Sequence, residues 1–258
     1  MKRTALAVAA IVMVLPAMVR AQTVYTTVSP SPYSPTLDTG SYGNIHTVAV
    51  LSGIGPNFDL VYSNSFFPKE HAVDITAWQI NEIIEAELQK YLGERFRFVP
   101  VSYDLSRMSA VGSQLWSSGR FRDFVKTVPN DGVDAFIVFR PNTQGRLRLE
   151  QRYQYTMLMA FYEMQLVDPH SYEILARADG QINGYMPIDM LGSEYALESD
   201  LALSDDKIAR LKPQMINLLK RSLVDTIRAL QFGVRLPPSG DPTILEPAGP
   251  EIAAPAPK

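Results

Sequence analysis

The sequence predicts an α/β fold: a two-layer domain with a mixed sheet of about five strands, a C-terminal antiparallel hairpin, and about three helices packed on the sheet. Three observations lead there. Apolar runs of strand composition stand at Ile45 to Leu51, Phe96 to Val101 and Val133 to Phe139. Helical patterns fall between them, over 75–93 and 104–128. Beyond them, the turn Asp168-Pro169-His170-Ser171 separates two further apolar runs. Strands alternating with helices favour parallel pairing, and a strand–turn–strand unit favours an antiparallel arm.

The chain opens with a segment outside the fold. Lys2 and Arg3 precede an apolar run from Thr4 to Leu15, which has the length of a secretory h-region and is too short to span a bilayer. Pro16 breaks the run, and Val19-Arg20-Ala21 offers small residues at the positions a signal peptidase reads. Residues 1–21 are therefore expected to be a signal peptide cleaved after Ala21. Residues 22–44 are rich in Ser, Thr, Pro and Tyr, without helical or strand period, and read as a linker. One domain is expected over 45–234, and the proline-rich 235–258 reads as a disordered tail.

Ile45 to Leu51 lacks strict alternation, as a central strand does. Ser52-Gly53-Ile54-Gly55-Pro56 ends it, and Phe58 to Tyr62 suits a short second strand or hairpin arm. The next helix has both ends marked. Thr76 and Gln79 have the spacing of a capping box, Ile75 and Ile80 that of a hydrophobic staple, and Gly93 stands where a left-handed C-cap is wanted. Ile80, Ile83, Ile84, Leu88, Tyr91 and Leu92 form its apolar face, with Glu82, Glu85 and Gln89 on the polar one. Phe96 to Val101 follows as a strand whose Pro100 lies outside the ladder. Leu115, Trp116, Phe121, Phe124, Val125 and Val128 keep helical spacing around Gly112 and Gly119, so one broken helix or two short ones are expected. Pro129-Asn130-Asp131-Gly132 turns the chain into the strand Val133 to Phe139.

Arg146 to Glu150 alternates charge with leucine, as a half-exposed strand does. Tyr155 to Val167 reads as one strand entering the hairpin, and Ile174 to Ile182 as its return. Tyr185 to Leu203 has no sustained period and reads as a surface excursion. Ser204 can cap a final helix, with Asp205 and Asp206 in its first turn. Pro213 sets the expected start of that helix's main body, and Ile216, Leu219, Leu223, Ile227 and Leu230 make its stripe.

Composition narrows function. The full chain carries 24 Lys and Arg against 27 Asp and Glu. Loss of residues 1–21 removes three cations and moves the formal charge from -3 to -6. A mildly acidic chain without a polybasic run is a poor nucleic-acid binder. Without cysteine it can form neither disulfides, thiolate metal sites nor a Cys nucleophile, and no lipid-bearing Cys is present. No later stretch is apolar for long enough to cross a membrane, so a periplasmic or secreted protein without a transmembrane segment is expected.

Motifs for chemistry are few. Gly53 and Gly55 follow a strand, but the third glycine of a phosphate-binding turn is missing and the helix begins some twenty residues later. His46, His71 and His170 lack metal-ligand spacing; His71 with Glu70 and Asp74 is a cluster that an acidic helix-entry loop also explains. No Gly-x-Ser-x-Gly elbow occurs. No catalytic residue, cofactor or metal is therefore expected. Arg140, Arg146, Arg148 and Arg152 form the one local basic cluster. They are the candidate partner-binding residues, for an acidic partner or lipid head groups; the ordinary reading is a charged hairpin edge protected from pairing.

The strand His46 to Leu51, the helix beginning near Asp74, the strand Asp134 to Phe139 and the hairpin Leu166 to Leu175 resemble a group of bacterial envelope α/β domains. That group includes the amino-terminal domain of TolB, the penicillin-binding-protein activator LpoB and the curli secretion protein CsgG. The resemblance covers the core domain. It implies an accessory or assembly role through protein contacts and no catalytic residues. The missing lipid-bearing Cys and the lack of a following propeller set this chain apart, so outer-membrane anchoring and pore formation are not implied. The expected function is a non-enzymatic binding domain of the envelope with a protein partner. The alternative is a periplasmic hydrolase or small-ligand binder with a site near Ser52 to Gly55 and the strand-end loops.

Overall fold

The computed structural model describes residues 42–63, 67–108, 118–141, 146–180 and 188–238. The signal peptide, nearly all of the linker, Leu115 and Trp116 of the expected broken helix, and most of the tail lie outside them.

Two five-stranded sheets carry the fold. In the first, β1 (Thr47–Ser52) lies between β4 (Arg97–Phe98) and β5 (Ala135–Pro141), parallel to both. β8 (Tyr162–Val167) and β9 (Ile174–Asp179) then extend it as the antiparallel C-terminal hairpin. In the second sheet, β2 (Asn57–Tyr62) pairs with β3 (Lys69–Asp74) on one side and β6 (Leu147–Arg152) on the other. β7 (Tyr155–Ala160) and β10 (Ile188–Leu191) complete it. The α/β class, the mixed sheet, the hairpin and helices packed on the sheet are as the sequence predicts; the second sheet is an addition.

The two sheets have matching strand orders, β4-β1-β5-β8-β9 against β3-β2-β6-β7-β10. β1 leads into β2, β5 into β6, β7 into β8 and β9 into β10, so four neighbouring strands each pass from one sheet to the other. The second sheet thus continues the first across a shared corner, where strands that switch sheets need bends. Gly53 and Gly55 serve β1–β2 at that corner: a Cβ on Gly53 would stand 2.8 Å from Met108 Cγ. Gly180 does so after β9, where a Cβ would overlap the Tyr162 ring. Gly53 therefore answers to packing.

The main core lies on the face the two sheets share. Val48, Ile137, Phe139, Met164, Phe58, Leu60, Leu149 and Leu158 pack there against α1 (Ile80–Leu92) and α3 (Asp205–Ala229). On the opposite face of the first sheet, Ala49, Leu51, Phe136, Val138 and Val167 meet Phe121, Phe124 and Val125 of α2 (Ser118–Val125). Tyr162 is fully buried and its hydroxyl meets Ser222 and, at 3.0 Å, Thr226, which locks the β8 end of the corner to α3. Arg221 of α3 holds Asp189 of β10 through bonds of 2.6 and 2.8 Å.

Several expected details differ. α1 starts at Ile80, and no side chain caps it. Thr76–Trp78 instead form a 3-10 turn, Gln79 takes a left-handed φ of 56°, and Asp74 Oδ1 accepts the Thr76 amide at 2.7 Å. Burial of Ile75 and of Trp78, whose ring lies 5.5 Å from that of Phe58, outweighs the local capping preference. Gly93 is right-handed, with its amide on Gln89 O. α3 runs through Pro213 without a break, because buried Leu211 and Met215 on either side hold both turns on the sheet. Of the stretch 185–203 read as a surface excursion, residues 188–203 are described, and they include β10 and bury Tyr195, Leu197 and Leu201.

Asp134, just before β5, accepts the amides of His46 and Thr47 at 2.9 and 2.8 Å and so pins the start of β1. These bonds lower its pKa. A carboxylate lowered on folding contributes stability fully above its unfolded range, near pH 3.9, and loses it as pH falls through the folded value. Urea midpoints of the native chain should therefore drop as pH falls from about 5 to about 2, and those of Asp134→Asn should drop less. Equal pH slopes for the two proteins would refute this role.

Candidate functional site

Three of the four arginines in the basic cluster face carboxylates. Arg140, at the end of β5, is 6% exposed and donates from Nη2 to Glu163 Oε2 at 2.7 Å across the β5–β8 pair. The other Glu163 oxygen takes the Gln165 amide and lies 3.4 Å from Arg177 Nε. Arg146 Nε lies 3.3 Å from Asp59 Oδ2. Burial raises the Asp59 pKa, against the pull of Arg146. Arg148 reaches Glu150 at 2.9 Å and lays its guanidinium 4.7 Å from the Phe161 ring centre. Only Arg152, at the end of β6, is exposed. The four charges are thus spread along one bent ribbon and do not combine into a single basic patch.

Arg152 opens the β6–β7 hairpin, opposite Tyr155, with Tyr153 and Gln154 as the turn. Tyr153 has a φ of 52°, at the first central position where such turns normally take glycine. Tyr153 is 72% exposed, and Tyr155 is 48% exposed. Tyr62 pairs with both Gln151 and Lys69, which brings Phe67, 78% exposed, to the same end of the second sheet. Three large exposed apolar side chains and one free-standing arginine therefore share one end of the ribbon. Sequence reasoning passed over these aromatics; the available signal was Arg152-Tyr153-Gln154-Tyr155, with tyrosine where a hairpin turn favours Gly or Asn.

At the C-terminal end of β1, a cleft of about 230 Å³ is lined by Ser52, Asn81, Glu82, Glu85, Tyr103 and neighbours. The Tyr103 hydroxyl accepts the Ser52 amide at 2.9 Å and donates to Ser52 O at 3.2 Å. Burial raises its pKa, and Glu85 and Glu82 add to that. The Ser52 hydroxyl donates to Asn81 Oδ1 at 2.6 Å. An amide takes up no proton, so this serine is not activated as a nucleophile.

His71 lies on β3, where its side chain faces Leu60 and that of Glu70 the opposite side, so this pair of the expected cluster is split. His71 instead borders a groove of about 470 Å³ with Leu60, Val73, Asp200, Leu201 and Ile208. Among the described residues, no three His, Cys, Asp or Glu side chains are placed to hold a metal ion. Among the same residues, no helix is long and apolar enough to cross a membrane.

No family model and no curated protein matches this chain. Among solved structures, it is similar to a Xanthomonas campestris protein of the DUF330 family, at 8% identity and a TM-score of 0.38, over 82% of this chain and 97% of that one. It is also similar to the LpoB C-terminal domain from Salmonella enterica, at 13% identity and a TM-score of 0.23, over 53% of this chain and 82% of that one. LpoB is one of the proteins in the group that the sequence resembles. At these scores neither likeness bears on function.

Proposed function

We propose that this chain is an exported, non-enzymatic accessory domain of the bacterial envelope, working in the periplasm through protein contacts. The observation that carries the reading is the hairpin end with Arg152, Tyr153, Tyr155 and Phe67. Tyrosine, phenylalanine and arginine are the residues enriched at protein interfaces, and Tyr and Arg lead among their hot spots. Tyr153 keeps a backbone conformation that costs an L-residue roughly 1–2 kcal/mol, which argues that its side chain is held there for use. The arginines nearer the corner support the ribbon through their ion pairs, and Arg152 supplies the charge at its tip. A hydrolase reading lacks such support, since Ser52 is bonded to an amide.

Tyr153→Gly separates the two roles of that residue. It should stabilise the domain by about 1 kcal/mol in urea unfolding, through relief of the turn. It should also weaken partner binding about thirtyfold, as loss of a 2 kcal/mol hot spot does. A photo-crosslinking residue at position 155 in intact cells should yield a discrete protein adduct that is lost in the Tyr153→Gly background. The same residue at exposed position 89 should yield none. Matching patterns from the two positions, or no adduct from 155, would count against the proposal.

A further inference from the structure

The backbone of β3 is an open edge. Among the described residues β3 pairs with β2 alone. The Ile75 amide donates to Pro56 O at 2.7 Å, one step beyond the pair Asn57 and Asp74. Antiparallel hydrogen-bonded pairs alternate along a ladder, so Val73, His71 and Lys69 turn their amides and carbonyls toward β2. Glu70, Ala72 and Asp74 therefore turn theirs outward. The parity agrees on the far side of β2, where the Ser63 amide donates to Gln151 O at 2.8 Å. Three amides and three carbonyls stand ready in β-strand geometry, and Glu70, Ala72 and Asp74 are all exposed.

Charge decides what fits. A second copy pairing antiparallel through β3, centred on Ala72, would set Glu70 opposite Asp74 twice, and like charges directly opposite destabilise a strand pair. An added strand with cations at those two places gains from the same geometry. Between them the added strand faces Ala72, which is exposed and carries no charge. The two intervening side chains of the added strand would fall on the other face, beside Val73 and the groove lined by Leu60, Leu201 and Leu203. Asp200 and Asp205 at that groove add negative charge, and among the described residues no Lys or Arg lines it.

We infer that β3 is a docking edge for an extended partner segment with basic residues at its first and fifth positions and apolar ones at its second and fourth, bound by strand addition. The inference stands apart from the hairpin end, since it rests on the outward backbone of Glu70, Ala72 and Asp74 and not on the exposed aromatics.

The mature chain is titrated with the capped peptide Thr-Lys-Val-Ala-Val-Lys-Thr and with its Glu-for-Lys counterpart. At saturation with the basic peptide, exchange of the Glu70, Ala72 and Asp74 amides should slow about tenfold or more, and the acidic peptide should bind at least about tenfold more weakly. Ala72→Pro removes an outward amide and leaves the β2 ladder intact, as proline on an edge strand does. It should keep the thermal midpoint and lose about tenfold in affinity. Glu70→Lys, a change at an exposed side chain, should narrow the preference between the two peptides, and it tests the idea should the proline variant unfold. Equal binding of both peptides, protection at other amides, or unchanged affinity in both variants would overturn the inference. So would protection of the same three amides by self-association without peptide.

Discussion

Ile84→Asp should unfold the domain. Ile84 is fully buried in the middle of α1, in the core that also takes Leu88, Leu92, Ile137 and Leu219. The change removes an isoleucine worth roughly 1.5–3 kcal/mol of burial. It adds a polar group without a partner, at a further cost of roughly 2–7 kcal/mol. Together these reach the roughly 5–15 kcal/mol that separates a native domain from its unfolded chain. Near-UV circular dichroism should lose its signal for Ile84→Asp, whereas Glu82→Ala on the exposed face of the same helix should unfold within about 0.5 kcal/mol of the native chain. A folded Ile84→Asp domain would mean that α1 is not held by this face.

Glu163→Ala should cost about 3–5 kcal/mol, because it removes the carboxylate that the buried Arg140 guanidinium bonds at 2.7 Å. Arg177 suffers less, since a third of its side chain reaches water. Gln165, fully buried, loses its acceptor as well. The double change Arg140→Met with Glu163→Leu removes both charges and keeps volume, so it should recover most of that loss. Urea unfolding of the native, single and double variants measures the coupling. A double variant no more stable than Glu163→Ala would show that the pair is not what destabilises the single one.

The elements that sequence exposed best are those whose period meets one environment along their whole length. β1 and β5 read as buried strands because both of their faces are covered. The stripe of α1 from Ile80 to Leu92 is equally plain, yet its first turn is set by the packing of Trp78, and no local rule reports that. The second sheet was hidden for two reasons. β7 and β8 form one largely apolar run, broken only by Thr156, Glu163 and Gln165, in which Phe161 alone marks the corner, with neither glycine nor proline to signal it. β3, Lys69-Glu70-His71-Ala72-Val73-Asp74, is a nearly bare edge without apolar alternation. The arginine cluster was visible as a composition bias, whereas its pairing with Asp59 and Glu163 depends on register across strands distant in sequence. The exposed tyrosines of the hairpin end needed the turn itself, since the same residues further along a strand would be ordinary.

The shared corner also suggests an expected order of assembly. β5 through β8, Ala135 to Val167, fold back on themselves as one long bent hairpin, with contacts close in sequence. β1 and β2 bond along the other side of that hairpin, and the bonds that seat β1 span 87 residues, from Thr47 to Asp134. Loop closure over that distance comes late, after local pairing has set a template. On that ground β1 and β2, the first strands in the sequence, are expected to be placed after the ribbon encoded far downstream of them.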